Sequence, residues 1–125
     1  MAYIKYNANP NNNRVGDCVI RAISKATGIS WDKVFMDIVL EALYMYDMPS
    51  SNAVWGNYLT SIGFEKHIIP SNCPDCYTII DFCNDYPQGT YVVATGTHTV
   101  AVIDGNYYDT WDSGDEVPIY YFKRR

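Results

Sequence analysis

The hydrophobic period of this chain changes once, at Pro87-Gln88-Gly89, and that change decides most of what it can fold into. Before it, apolar residues recur every three to four positions, the spacing of a helical face. After it they follow the two-residue period and the Val, Ile, Thr, Tyr and Phe content of strands. Helices first and an antiparallel meander last describe an α+β domain, with N-terminal helices packed on a C-terminal antiparallel β-sheet. A single domain over residues 1–125 is expected, because no repeat, linker or low-complexity tract divides the chain.

Residues 1–16 read as an irregular arm, since Asn9-Pro10 and Asn11-Asn12-Asn13 favour turns. Asp17 is the natural N-cap of a first helix over 18–26, whose inner side carries Val19, Ile20, Ala22, Ile23 and Ala26. Ser30 caps a second helix with Trp31, Val34, Phe35, Ile38 and Ala42 as its buried stripe, ended by Met48-Pro49. Ser50 or Ser51 starts a third, closed by Gly63, and a short extended stretch over 64–69 follows. Ser71-Asn72 with Pro74 predicts the start of a fourth helix running to 85. Strands are predicted over 90–95, 98–103, 106–111 and 119–123. Asp104-Gly105 between the second and third is the sequence of a two-residue type I′ hairpin loop.

The hairpin turns pattern into chemistry. A two-residue loop pairs Ile103 with Asn106, which puts His98, Val100 and Val102 on one face with Tyr107, Asp109 and Trp111. His98 and Asp109 then sit diagonally, roughly 7–8 Å apart at the backbone, within side-chain reach. Asp112 falls on the opposite face. Cys18, after Gly16 and Asp17, opens the first helix, where unpaired N–H groups and the helix dipole favour a thiolate. A cysteine, a histidine and a carboxylate so arranged supply a nucleophile, a base and a residue that orients the base. A buried structural cysteine and a structural strand histidine are the plainer alternatives. His67, in a charged extended stretch, reads as a surface residue.

Those residues carry a resemblance. Gly16-Asp17-Cys18 opening a helix, Thr97-His98-Thr99-Val100-Ala101-Val102-Ile103 and Tyr108-Asp109-Thr110-Trp111-Asp112 resemble papain-like cysteine peptidases, in that clan's order of Cys, His and Asp. The nearest likeness is to small phage and bacterial proteins akin to the bacteriocin-processing peptidase domain, over most of the chain from about Asn7. The resemblance implies a papain-like fold and acyl transfer through a thioester on Cys18. It also implies an oxyanion held by the Cys18 backbone N–H and a side-chain amide just upstream. Relatives carry a glutamine five or six residues before the cysteine; here Asn13 and Asn12 stand there, as oxyanion donors or as polar loop residues. Val19 follows the cysteine where many relatives have glycine. These departures leave an inactive papain-like fold that binds a peptide or protein as the alternative function.

Cys73-Pro74-Asp75-Cys76 admits three readings: packing and chance surface thiols, a zinc site with His67 and Cys83, or a redox pair. The zinc reading asks Cys83 to reach back about two helical turns, and the redox reading lacks a βαβ unit ahead of it. No cofactor is called for. The net charge of −5, with basic residues grouped only at Lys123-Arg124-Arg125, argues against nucleic acid. No run approaches the roughly 20 apolar residues of a membrane helix. The polar, Asn-rich start lacks a secretory apolar core, so a cytoplasmic location and reduced thiols are expected. Twelve tyrosines and three tryptophans are many for this size; most are expected in the core or sheet, with some available to line a groove for a peptide or protein substrate.

Overall fold

In the computed structural model, which describes residues 2–70 and 76–125, four helices and a six-stranded mixed sheet form an α+β fold. In chain order the elements are β1 (Ala2–Lys5), α1 (Cys18–Thr27), α2 (Trp31–Met45), α3 (Asn52–Ser61), β2 (Phe64–Ile68), α4 (Ile79–Asp85), β3 (Thr90–Ala94), β4 (Thr99–Ile103), β5 (Asn106–Asp109) and β6 (Tyr120–Arg124). The strand order is β1-β5-β4-β3-β6-β2.

The β3-β4-β5 meander follows from the loops that join it. Asp104 and Gly105 have φ of 51° and 76°, the left-handed pair of a type I′ turn, and the ladder pairs Ile103 with Asn106 and Val102 with Tyr107, the register expected. Two expectations are corrected. The sheet is not a purely C-terminal antiparallel one: residues 2–5 of the supposed irregular arm form β1, parallel to β5, and β2 joins the far edge through β6. Nor does α4 begin near residue 71. Ser71, Asn72, Cys73 and Pro74 lie outside the described residues, and the helix starts after Thr78, whose hydroxyl and the Asp81 carboxylate form a reciprocal capping box. Cys76 therefore precedes the helix that holds Cys83.

Both faces of the sheet are covered, which explains the near-continuous apolar runs in β3 and β4. Val92, Ala94, Ala101 and Phe122 pack under α1, α2 and α3; Tyr91, Val93, Val100, Val102 and Tyr107 pack against Ile79, Phe82 and Cys83 of α4. Fully buried aliphatic side chains contribute about 1.5–3 kcal/mol each. Ile23, with Ala22 and Ala26, thus fixes α1 across β4. Among the described residues no helix is long and apolar enough to cross a membrane.

The loop between β5 and β6 packs closely at Gly114. A Cβ there would overlap the Tyr107 hydroxyl and come within 2.8 Å of Ile80 Cγ1. Tyr107 is buried and its hydroxyl donates to Asp112 Oδ1 at 2.5 Å, so it has little room to yield. Gly114→Ala is expected to cost about 1–3 kcal/mol by overpacking and to lower the thermal midpoint by several degrees; an unchanged midpoint would show that the loop relaxes freely.

Candidate functional site

Cys18 is the first residue of α1, half-buried at the end of the helix that Ile23 anchors. The Asp17 backbone begins the helix, its carbonyl accepting from the Arg21 N–H at 2.9 Å, but its side chain does not cap. This corrects the expected capping role. The carboxylate is taken instead by stronger donors: Oδ1 by the Arg21 guanidinium and Oδ2 by the Trp31 indole N–H at 2.9 Å, with Asn9 Nδ2 at 3.4 Å. The first-turn N–H groups of the helix that Cys18 opens are left without a side-chain cap, so their partial positive charge is not offset by a capping carboxylate.

His98 is held at the other side by the Thr95-Gly96-Thr97 turn. Thr95 Oγ1 accepts from the N–H of Thr97 at 3.2 Å and of His98 at 2.9 Å, while the Thr95 N–H donates to the His98 carbonyl at 2.8 Å. β4 begins one residue later, so the imidazole stands at the sheet's end rather than within the ladder. Its Nε2–H donates to Asp109 Oδ2 at 2.5 Å, and Trp111 lies against the ring with centroids 5.0 Å apart. With Nε2 engaged, Nδ1 is the nitrogen left to face Cys18, which borders the same two recesses as His98, and each side chain shifts the ionisation of the other.

Asp109, only 3% exposed, is a buried carboxylate with its oxygens satisfied. Oδ2 also accepts from Ser113 Oγ at 2.6 Å, Oδ1 accepts from the Thr110 N–H at 2.8 Å, and Arg21 Nη2 lies 3.5 Å from Oδ1. Burial pushes its pKa up, but the hydrogen bonds and charge of His98, with Ser113 and Thr110, hold it below the usual carboxylate value. Burial lowers the His98 pKa, yet hydrogen bonds to Asp109 and Cys18 and their charges raise it to about 9. Burial raises the Cys18 pKa; the hydrogen bond and charge of His98, a backbone hydrogen bond from Thr99 and the Arg21 charge bring it below its ordinary value. Cys83 is the contrast: burial raises its thiol to about 11, as befits an inert core residue.

Cys18, His98 and Asp109 are thus brought together. Asn12 and Asn13 are not: both are exposed, Asn7 Nδ2 donates to Asn12 Oδ1 and to the Asn13 carbonyl, and neither lines the two cavities that meet at Cys18. The register placed Trp111 on the face of His98, as found; the roles of Arg21, Ser113 and Trp31 were missed in the sequence. An arginine on the first helix, four residues after Asp17, was the available signal for Arg21. His67 is half-buried, stacked on Tyr121 and 2.8 Å from Glu65 Oε1. Cys73 lies outside the described residues; among those described, no group of three or more His, Cys, Asp or Glu side chains is placed to hold a metal ion.

Asp109→Asn is expected to bring the His98 pKa down from about 9 toward its ordinary 6.5, read by NMR titration of the imidazole; an unmoved value would contradict the pairing. Ser113→Ala removes a donor from Asp109 and is expected to cost about 1 kcal/mol at neutral pH. Because the folded Asp109 pKa is depressed, its contribution to stability is present above the unfolded value and lost as pH falls through the folded one. The stability gap between wild type and Ser113→Ala should therefore close on acidification, and a gap that widens would reverse the sign of this argument.

No protein-family model matches the chain, and neither a curated protein nor a solved structure matches it.

Proposed function

We propose that this chain is a papain-like cysteine hydrolase that cleaves a peptide or amide bond through a thioester on Cys18. The observation that supports it best is the contact sequence from a thiol at a helix start, to an imidazole at a sheet end, to a buried carboxylate 2.5 Å from that imidazole. A papain-like arrangement is consistent with the helix carrying the cysteine packing across the strand that follows the histidine.

The chemistry follows from the charges. At neutral pH Asp109 is ionised and holds His98 as an imidazolium, which stabilises Cys18 as a thiolate. The sulfur attacks the substrate carbonyl carbon, forming a C–S bond and moving the carbonyl electron pair onto oxygen. First-turn N–H groups of α1, uncapped by Asp17, are the donors on hand for that oxyanion. His98 gives its proton to the leaving nitrogen as the C–N bond breaks, releasing an amine and leaving the thioester. It then takes a proton from water, whose oxygen attacks the thioester carbon. The C–S bond breaks, the acid departs, and the thiolate–imidazolium pair is restored. Asp109 keeps the ring in the tautomer and orientation both steps need.

A second reading, an inactive papain-like fold acting as a peptide- or protein-binding module, draws on the exposed apolar side chains Met36, Leu40, Leu43, Tyr44 and Met48 and on the position of Asn12 and Asn13 away from the thiol. It requires that a folded Cys18→Ala variant keep full function.

Under the hydrolase reading, Cys18→Ala abolishes turnover of a peptide mixture while circular dichroism stays unchanged. Iodoacetamide should alkylate Cys18 faster than free cysteine at about pH 6–7, where an ordinary thiol near 8.5 is protonated. The pH profile of kcat/KM should have an acid limb set by the Cys18 thiol and an alkaline limb near 9, where His98 loses the proton it donates. Alkylation needs no proton donor and should lack the alkaline limb. A Cys18 no more reactive than free cysteine would overturn the proposal.

A further inference from the structure

Two recesses of opposite character meet at the thiol. The larger, about 680 Å³, is walled by apolar Val19, Ile20, Trp31, Phe35, Ile38 and Val39, with no lysine or arginine in its lining. The smaller, about 460 Å³, has no acidic residue in its lining and carries Arg14, Arg21 and His98, in a chain with 14 acidic and 9 basic side chains. Cys18, His98, Thr97, Val15 and Gly16 border both.

Of the three cations, two already have partners. Arg21 is tied to Asp17 and Asp109, and His98 to Asp109. Arg14 is exposed and, among the described residues, has no carboxylate at ion-pairing distance. Thr97 and Thr110 line the same recess. An uncompensated guanidinium in such a recess matches a carboxylate, which it can grip with two parallel N–H donors. A substrate crossing Cys18 places its reacting carbonyl at the shared border, so its two flanks meet opposite chemistry.

We propose that the site selects peptides bearing a carboxylate on the Arg14 flank of the reacting carbonyl and a bulky aliphatic or aromatic side chain on the other. This rests on the hydrolase reading and names its substrate class. The carboxylate belongs either to an Asp or Glu side chain or to a free C-terminus.

The first test uses two alkylating reagents that differ in charge, iodoacetate and iodoacetamide, on the full chain. Relative to free cysteine, Cys18 should favour iodoacetate. Arg14→Gln should lower the iodoacetate-to-iodoacetamide rate ratio roughly 1.5- to fivefold, the range of a partly exposed ion pair, while leaving the iodoacetamide rate unchanged. The second test reads cleavage of a peptide mixture by mass spectrometry. Cut bonds should carry Leu, Ile, Phe or Met on one side and a carboxylate within two residues on the other, with KM rising in Arg14→Gln. Amidated copies of the same peptides separate the sources: a C-terminal carboxylate is required if amidation abolishes cleavage, and an acidic side chain suffices if it does not. An unchanged rate ratio in Arg14→Gln, or cuts without a flanking carboxylate, overturns the substrate assignment while the hydrolase reading stands. A wild-type Cys18 as slow as free cysteine with iodoacetamide instead overturns the hydrolase reading beneath it.

Discussion

The site depends on one buried negative charge. A carboxylate as enclosed as Asp109 keeps its charge only because His98, Ser113 and Thr110 donate to it and Arg21 stands beside it. Because it is ionised, the imidazole beside it holds a proton up to about 9; because the imidazole is charged, the thiol beyond it is favoured as a thiolate. Removing the carboxylate would leave a half-buried histidine and an ordinary cysteine. The fold supplies what holds the three in place: α1 laid across β4 by its apolar face, and the β4-β5 hairpin with its register set by a two-residue turn.

Arg21 links the two halves of this arrangement. One nitrogen pairs with Asp17, which also accepts from Trp31 of α2, and the other lies near Asp109 at the end of β5. The helix that carries Cys18 is thereby tied to the strand that carries Asp109. The same diversion of Asp17 toward Arg21 leaves the start of α1 free of a side-chain cap, so one arrangement serves both position and charge.

Much of this was legible because it is local. The three-to-four-residue spacing of Val34, Ile38 and Ala42 located α2, and Asp104-Gly105 set which side chains face each other across the hairpin, selecting Asp109 over Asp112 by parity. Asp112 instead accepts from Tyr107, away from the imidazole. What escaped the sequence depends on distant partners. Ala2-Tyr3-Ile4-Lys5 carries only two β-formers, Tyr3 and Ile4, too short a run to read as a strand alone, and becomes β1 because the edge of β5 is open to it. Asp17 has the sequence position of an N-cap, but a charged guanidinium one turn along competes better for its carboxylate. Ser113 is a loop serine until the chain folds back and sets its hydroxyl on Asp109. The fourth helix was misplaced because the serine and proline near residue 71 look like a start, whereas Thr78 and Asp81 make the capping box nearer the core.

The proposed chemistry turns on the charge state of one sulfur. It is read most directly by the thiolate's ultraviolet absorbance, titrated in the full chain after the same titration of Cys18→Ser is subtracted. That chemistry requires that this absorbance be present at neutral pH and persist below it, and that Asp109→Asn move its onset upward. An onset at about pH 8.5 or above, where a free thiol ionises, and unaffected by Asp109→Asn, would contradict it.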